Sequence, residues 1–157
     1  MRTHFAEVLA RESACLAGVT NEAKLAGWRR RVVRELMTPQ SPYVLALRQT
    51  GDAPDRADFL GRWRGLIAET VGRLLHPSTP ADTNCSSAQP SRDDVDAQQI
   101  AVLILAALHG GGTLSQVAQD PRPLNAALDI ALAPFAPPPN ARGDDTGTEG
   151  PDSTMST

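Results

Sequence analysis

Few residues of this chain could carry out chemistry, and their spacing fits neither a metal site nor a catalytic centre. The three histidines, His4, His76 and His109, share no ligand spacing, so we expect no metal and no other cofactor. No serine, cysteine or carboxylate occupies a recognisable nucleophile or acid–base setting, which predicts a protein without catalytic residues or enzyme activity. The glycines at 110–112 have no preceding strand and no following Lys-Ser or Lys-Thr pair, which argues against a phosphate-binding loop.

The aromatic residues of the chain predict a pocket for a small molecule. Trp28, Tyr43, Phe59 and Trp63 are four of only six aromatic residues, and they come from three neighbouring segments. Together with His109, they predict a cavity for a small, mostly apolar ligand, in which the imidazole offers the one hydrogen bond that orients the ligand. The alternative is that the aromatic residues form an ordinary hydrophobic core and that His109 is a satisfied core residue.

Four arginines crowd the segment 29–34, which raises the question of nucleic-acid binding. Only one aromatic residue is adjacent, and the acids Glu22 and Glu35 flank the cluster. With a net charge of −3, this pattern is typical of a solvated helix face. We therefore expect that the chain by itself does not read a DNA sequence.

Helical periodicity in the surrounding segments predicts an all-α fold. We expect a first helix over about 3–17, a second that Thr20 or Asn21 caps, and a long third that begins near Pro54. The short apolar stretch 43–49 fits either a strand or two helical turns, and its helical surroundings favour helix. The second helix should bury one stripe, formed by Leu25, Trp28, Val32 and Leu36.

The most apolar part of the chain predicts an association surface. A helix over about 95–118 would present apolar or small residues on two opposite faces, so it must be covered on both sides. A second copy of the chain would cover one side in a homodimer, whereas the alternative is a central helix wrapped by its own neighbours. Another helix, over about 121–136, begins at Asp120-Pro121 and stops before three prolines. The predicted dimer residues, with glycine permitting close helix approach, are Leu103, Ala107, Gly111, Leu114, Leu124, Leu128 and Leu132.

The remaining segments set the predicted domain boundaries. We expect one helical domain over 1–136, with a mobile loop at 76–92 and a disordered tail at 137–157, because both segments are polar and lack an apolar pattern. No stretch approaches about 18 uninterrupted apolar residues, so no membrane span is expected. Cys15 and Cys85 lie in unlike settings and form neither a disulfide framework nor a metal site, which fits a reducing cytoplasm.

The stretch QIAVLILAALHGGGTLSQVAQDPRPLNAALDIALAPF resembles the last two helices of TetR-family transcriptional regulators. In that family, an apolar helix with a Gly-Gly break is followed by a helix of the pattern DP-pL-aaL-aal. The upstream run SPYVLALRQTGDAPDRADFLGRWRGLIAETVGRLL resembles the preceding helices of the same regulatory domain, so the resemblance covers about 1–136. One branch of the family begins this region with Gly-Cys-Pro-Leu, where this chain has Ser41-Pro42-Tyr43-Val44.

The resemblance implies a bundle of about five to six helices that senses a small-molecule effector. Its last two long helices would form a four-helix bundle with those of a second copy. In the family, DNA is bound by an N-terminal helix-turn-helix, for which about fifty residues would be expected before Phe5. We therefore expect either a truncated sequence or a natural relative without the DNA-reading head. The alternative function is a stand-alone helical module that binds small molecules or proteins and has no DNA-binding activity.

Overall fold

The computed structural model describes residues 3–48, 53–76 and 92–136. These ranges contain helices and no strand, which confirms the predicted all-α class. The predicted loop 76–92, apart from its two ends, and the predicted tail 137–157 lie outside the described residues. The helices are α1 (Thr3–Ala17), α2 (Glu22–Met37), α3 (Pro42–Arg48), α4 (Ala53–Leu75), α5 (Arg92–Ala106), α6 (Gly112–Ala118) and α7 (Arg122–Ala131).

A π-helical turn, Ala107–Gly111, joins α5 to α6 without interrupting the helix. We call the part of this continuous helix from Asp96 to Ala118 the rod. Counted with the rod as one element, the described residues form six helices, within the predicted five to six. Gln119, with a left-handed φ of 52°, ends the rod.

Local sequence signals explain the helix starts in the first half. The Asn21 side chain accepts a hydrogen bond from the Lys24 backbone N–H at 2.9 Å, so Asn21 is the predicted cap of α2. The Ser41 hydroxyl accepts one from the Val44 backbone N–H at 3.3 Å, at the start of the short helix α3. The helical interpretation of this apolar stretch is thus confirmed. The predicted buried stripe of α2 is also confirmed, with Leu25, Trp28, Val32 and Leu36 all inside.

The last helix is shorter than the sequence predicts. Its N-cap is Pro121 and not the predicted Asp120, which lies one residue earlier and accepts a hydrogen bond from the Arg122 backbone N–H at 2.9 Å. The helix ends at Ala131 and not near 136, because Pro134 has no N–H to donate to the preceding turn. A 3₁₀ turn, Ala133–Phe135, follows, so Phe135 does not continue the apolar stripe of α7.

The helices enclose a single core. α1 packs on α3 and α4, while α4 lies along α5. α2 contacts α3 and α6. α7 packs on the π turn and also contacts α5 and α6. The core runs from the aromatic side chains of the first half to the leucines of α7.

Gly111 lets α7 approach the π turn closely. A methyl group added at Gly111 would lie 3.0 Å from the Leu124 Cα and 3.2 Å from the Ala127 Cβ. Such distances leave no room for a side chain between the two backbones. The sequence-based hypothesis assigned this close approach to a dimer contact, and the structure assigns it to a contact within the chain.

Candidate functional site

The fully buried carboxylate of Glu12 collects hydrogen bonds from α2, α3 and α4. Its Oε2 accepts from the indole N–H groups of Trp28 at 2.9 Å and Trp63 at 3.2 Å. Its Oε1 accepts from the Tyr43 hydroxyl at 2.7 Å and from Arg31 Nη2 at 2.5 Å. Each oxygen therefore has two donors, and the Arg31 guanidinium supplies the compensating charge for a carboxylate out of water.

Arg31 and Tyr43 are also bound to each other. Arg31 Nη1 donates to the Tyr43 hydroxyl at 2.8 Å, and the guanidinium carbon lies 5.9 Å from the ring centroid. Burial, and then the charge of Glu12, raise the pKa of Tyr43 well above its usual range. Burial alone would lower the pKa of Arg31, but the hydrogen bonds to Tyr43 and Glu12 outweigh it and raise that pKa. Tyr43 is therefore a neutral donor to Glu12 at neutral pH.

Sequence reasoning did not find Glu12, although a signal was present. The buried stripe of α1 runs through Phe5, Val8 and Leu16 at helical spacing, and Glu12 occupies the missing position in that stripe. An acid on a buried stripe must find donors, because an unpaired charge in the interior is costly. The four donors come from 16 to 51 residues away, so the stripe alone does not identify them.

The five predicted pocket residues do not line a common cavity. Trp28, Tyr43 and Trp63 converge on Glu12, and Phe59 stacks on Phe5 with ring centroids 4.5 Å apart. All four predicted aromatic residues are buried, as in the core alternative. His109 is exposed and lies apart from them, in the π turn directly after the buried Leu108.

His109 instead lines a groove of about 470 Å³ between α4 and α5. Arg64 and His109 are its only polar side chains. Within the described part of the chain, neither side chain has a hydrogen bond or an ion pair. The other lining residues are apolar or small: Ala57, Leu60, Gly61, Val102, Leu105 and Ala106.

An apolar face on the rod and α7 is the second notable surface. Among the described residues, the large hydrophobic side chains that are exposed lie only there, with exposed fractions from 48% to 82%. No charged residue occurs from Ala97 to Gln119. The apolar face consists of Val102, Leu103, Leu114, Val117 and Ile130.

The predicted dimer residues divide between this face and the interior. Leu103 and Leu114 are exposed on the apolar face. The other five are buried in the chain's own core, which corrects their placement at a dimer surface: Ala107, Gly111, Leu124, Leu128 and Leu132. The leucine stripe of α7 packs inward onto the π turn and the rod, so Ile130, which lies off that stripe, is the residue of α7 that points outward.

Two of the four clustered arginines are engaged inside the fold. Arg29 forms an ion pair with Asp129 at 2.6 Å and donates to the Asn125 carbonyl at 3.1 Å, which ties α2 to α7. Arg31 binds Glu12. Arg30 and Arg34 are exposed. The cluster thus includes two structural side chains, which weakens its interpretation as a phosphate-binding patch.

Within the described ranges, no group of three histidine, cysteine or acidic side chains could hold a metal ion. By length and composition alone, the 23-residue rod is apolar enough to cross a membrane, with a mean hydropathy of 1.6 over its most apolar 18-residue window. Of that window, 39% is buried inside the fold, where α2, α4 and α7 pack on the rod. The expected absence of a membrane span therefore stays a prediction.

Comparison of the chain with known protein families, with curated proteins and with solved structures found no match.

Proposed function

We propose that this chain is the effector-sensing and dimerisation domain of a TetR-like transcriptional regulator, acting in the cytoplasm as a homodimer. The observation that carries the proposal is the apolar face, because it collects the exposed large hydrophobic side chains of the described residues on the rod and α7. These are the two elements that carry the resemblance to the family. Large exposed apolar surfaces on soluble proteins mark interaction sites.

A second copy of the chain is the occupant that suits this face. The rod has no charged residue between Ala97 and Gln119, so its partner surface must also be uncharged. In a two-fold dimer, the same apolar face serves on both sides. The 23-residue rod is about 35 Å long, and with α7 beside it can contribute the roughly 800 Å² per partner of a standard interface.

Placing a charge on the apolar face tests the dimer. We expect light scattering of the wild-type protein to give twice the 16.7 kDa chain mass at micromolar concentration. Leu103→Asp and Val117→Asp should each weaken the dimer by about a hundredfold or more, because each buries an unpaired carboxylate in the interface. Both positions are exposed in the single chain, so its fold should survive. Ala14→Asp, the same change at an exposed position of α1, is the control and should leave the mass at twice the chain's.

Three outcomes would contradict the dimer. A wild-type monomer at about 100 μM would do so, and so would variants that retain the dimer mass. Flotation of the wild-type chain with phosphatidylcholine vesicles, abolished by Leu103→Asp, would assign the apolar face to a membrane surface. Circular dichroism of each variant shows whether the helices remain.

The second candidate function is a stand-alone helical module that binds small molecules or proteins and has no DNA-binding activity. It is favoured by the engagement of Arg29 and Arg31 within the fold, which leaves fewer side chains for phosphate contacts. A mobility-shift assay at physiological salt tests whether the chain by itself binds DNA. A sequence-dependent shift by this chain alone would overturn the expectation that its DNA contact requires a helix-turn-helix.

A further inference from the structure

We propose that the groove between α4 and α5 binds a small apolar molecule that carries one carboxylate, held by Arg64. This inference deepens the effector-binding part of the proposed function by naming a site and a ligand class. It does not depend on dimerisation. The groove volume of about 470 Å³ lies in the range of small-molecule sites.

The chemistry of the lining defines the ligand. Six of the eight lining residues are alanine, glycine, leucine or valine, so the body of the ligand must be apolar. The two polar side chains, Arg64 and His109, come from opposite walls, and none of the described residues that line the groove is acidic. A guanidinium is a donor without acceptor capacity, so the polar end of the ligand must accept hydrogen bonds. A carboxylate matches the guanidinium fork in both charge and geometry.

Arg64 is available for this role. Elsewhere on α4, Arg62 is paired with Asp58 at 2.9 Å and Arg73 with Glu69 at 3.1 Å. Arg64 has no such partner among the described residues, although it lies on the same helix. A bound carboxylate would supply the missing counter-charge, while Leu60 and Leu105 would cover the apolar body.

Gly61 gives a way to fill the groove without disturbing the fold. A methyl group added there meets no atom within 4 Å, so Gly61→Leu should occupy the groove while α4 remains intact. Gly65 is equally open, lies one turn further along α4 and does not line the groove. Gly65→Leu is therefore a matched control for the same change in side chain and in helix propensity.

The experiment is a calorimetric titration with three probes of equal chain length: decanoate, decanol and decylammonium. We expect the wild-type protein to bind decanoate at least about tenfold more tightly than either other probe. Arg64→Gln should lower the decanoate affinity about ten- to a hundredfold and leave that of decanol unchanged. Gly61→Leu should abolish saturable binding of decanoate, whereas Gly65→Leu should bind like the wild type.

Other outcomes overturn the inference. Equal affinity for all three probes, decanoate binding that survives Gly61→Leu, or no saturable binding by the wild type at millimolar probe would each refute it. Repeating the titration on Leu103→Asp, with light scattering of the same samples, separates this proposal from the dimer. Retention of decanoate binding in that variant supports the groove whether or not the wild-type chain dimerises.

Discussion

At the scale of single residues, the Glu12 carboxylate connects its own helix, α1, to α2, α3 and α4 by hydrogen bonds. Removing a carboxylate from water costs several kcal/mol, and the four donors with the Arg31 charge offset that cost only as a complete set. Truncating the acid would leave two indole N–H groups, a hydroxyl and a guanidinium without their acceptor. Truncating Glu12 should therefore lower the free energy of unfolding by more than the intact cluster contributes to it.

Glu12→Ala should lower the free energy of unfolding by about 3–5 kcal/mol, because it leaves two buried indole N–H groups, the Tyr43 hydroxyl and the partly buried Arg31 guanidinium without their acceptor. Glu7→Ala, on the same helix, removes only an exposed ion pair with Arg11 and should cost less than about 1 kcal/mol. Urea denaturation of the two variants measures the difference. Equal and small effects would show that the Glu12 contacts contribute little.

The single tyrosine of the chain reports on the same cluster. Burial and the neighbouring carboxylate raise the pKa of Tyr43 in the folded protein above the ordinary value of about 10. The stabilisation linked to the protonated hydroxyl is present below about pH 10 and is lost as the pH rises toward the folded-state pKa. In a spectrophotometric titration, we expect tyrosinate absorbance to appear only above pH 10, together with loss of helix signal.

Tyr43→Phe is the control for that titration. It removes the absorbance change, and it should flatten the decline in the free energy of unfolding above about pH 10. Tyrosinate formation near pH 10 in a fully helical wild-type protein would contradict the buried hydrogen bond to Glu12.

At the scale of helices, Gly111 and Gly110 offer a direct comparison within one π turn. Gly111→Ala should destabilise the fold by about 1–3 kcal/mol, because the added methyl group meets the Leu124 Cα at 3.0 Å, and backbone cannot move aside easily. Gly110→Ala meets no atom within 4 Å and should stabilise by about 0.5–1 kcal/mol, through reduced freedom of the unfolded chain. Thermal denaturation of both variants measures the change in melting temperature. A change of the same sign in both would contradict the close packing of α7 on the π turn.

Helical spacing predicted the elements well, because each helix buries one stripe and its caps lie next to it in the sequence. The stripe and the Asn21 cap of α2 are clear examples. It is less predictable which surface an apolar stripe packs against. The leucines of α7 fit either a partner copy or the chain's own core, and only the packing around Gly111 distinguishes the two. Likewise, a constant turn of about 100° per residue cannot place residues beyond the π turn, where the helix is wider.

At the scale of the whole molecule, the two halves are held by different interactions. α1 to α4 share the buried Glu12 cluster. The rod and α7 instead meet through small and apolar contacts around Gly111 and one buried hydrogen bond, from the Leu124 backbone N–H to the Ser115 hydroxyl. The exposed side of the rod carries apolar side chains and no charge from Ala97 to Gln119, which is why we propose a second copy there. The groove lies where the two halves join, between α4 and α5.

Val102 belongs to both the groove and the apolar face, with about half of its side chain exposed. A molecule in the groove would thus touch a residue that a partner copy would bury. Two binding events that share a residue have a coupling free energy, and this coupling is reciprocal. If saturating decanoate were to tighten the dimer by about a hundredfold, each of its two grooves would bind decanoate about tenfold more tightly than the monomer does. A change in side-chain volume at residue 102 would then alter the cooperativity between the two events.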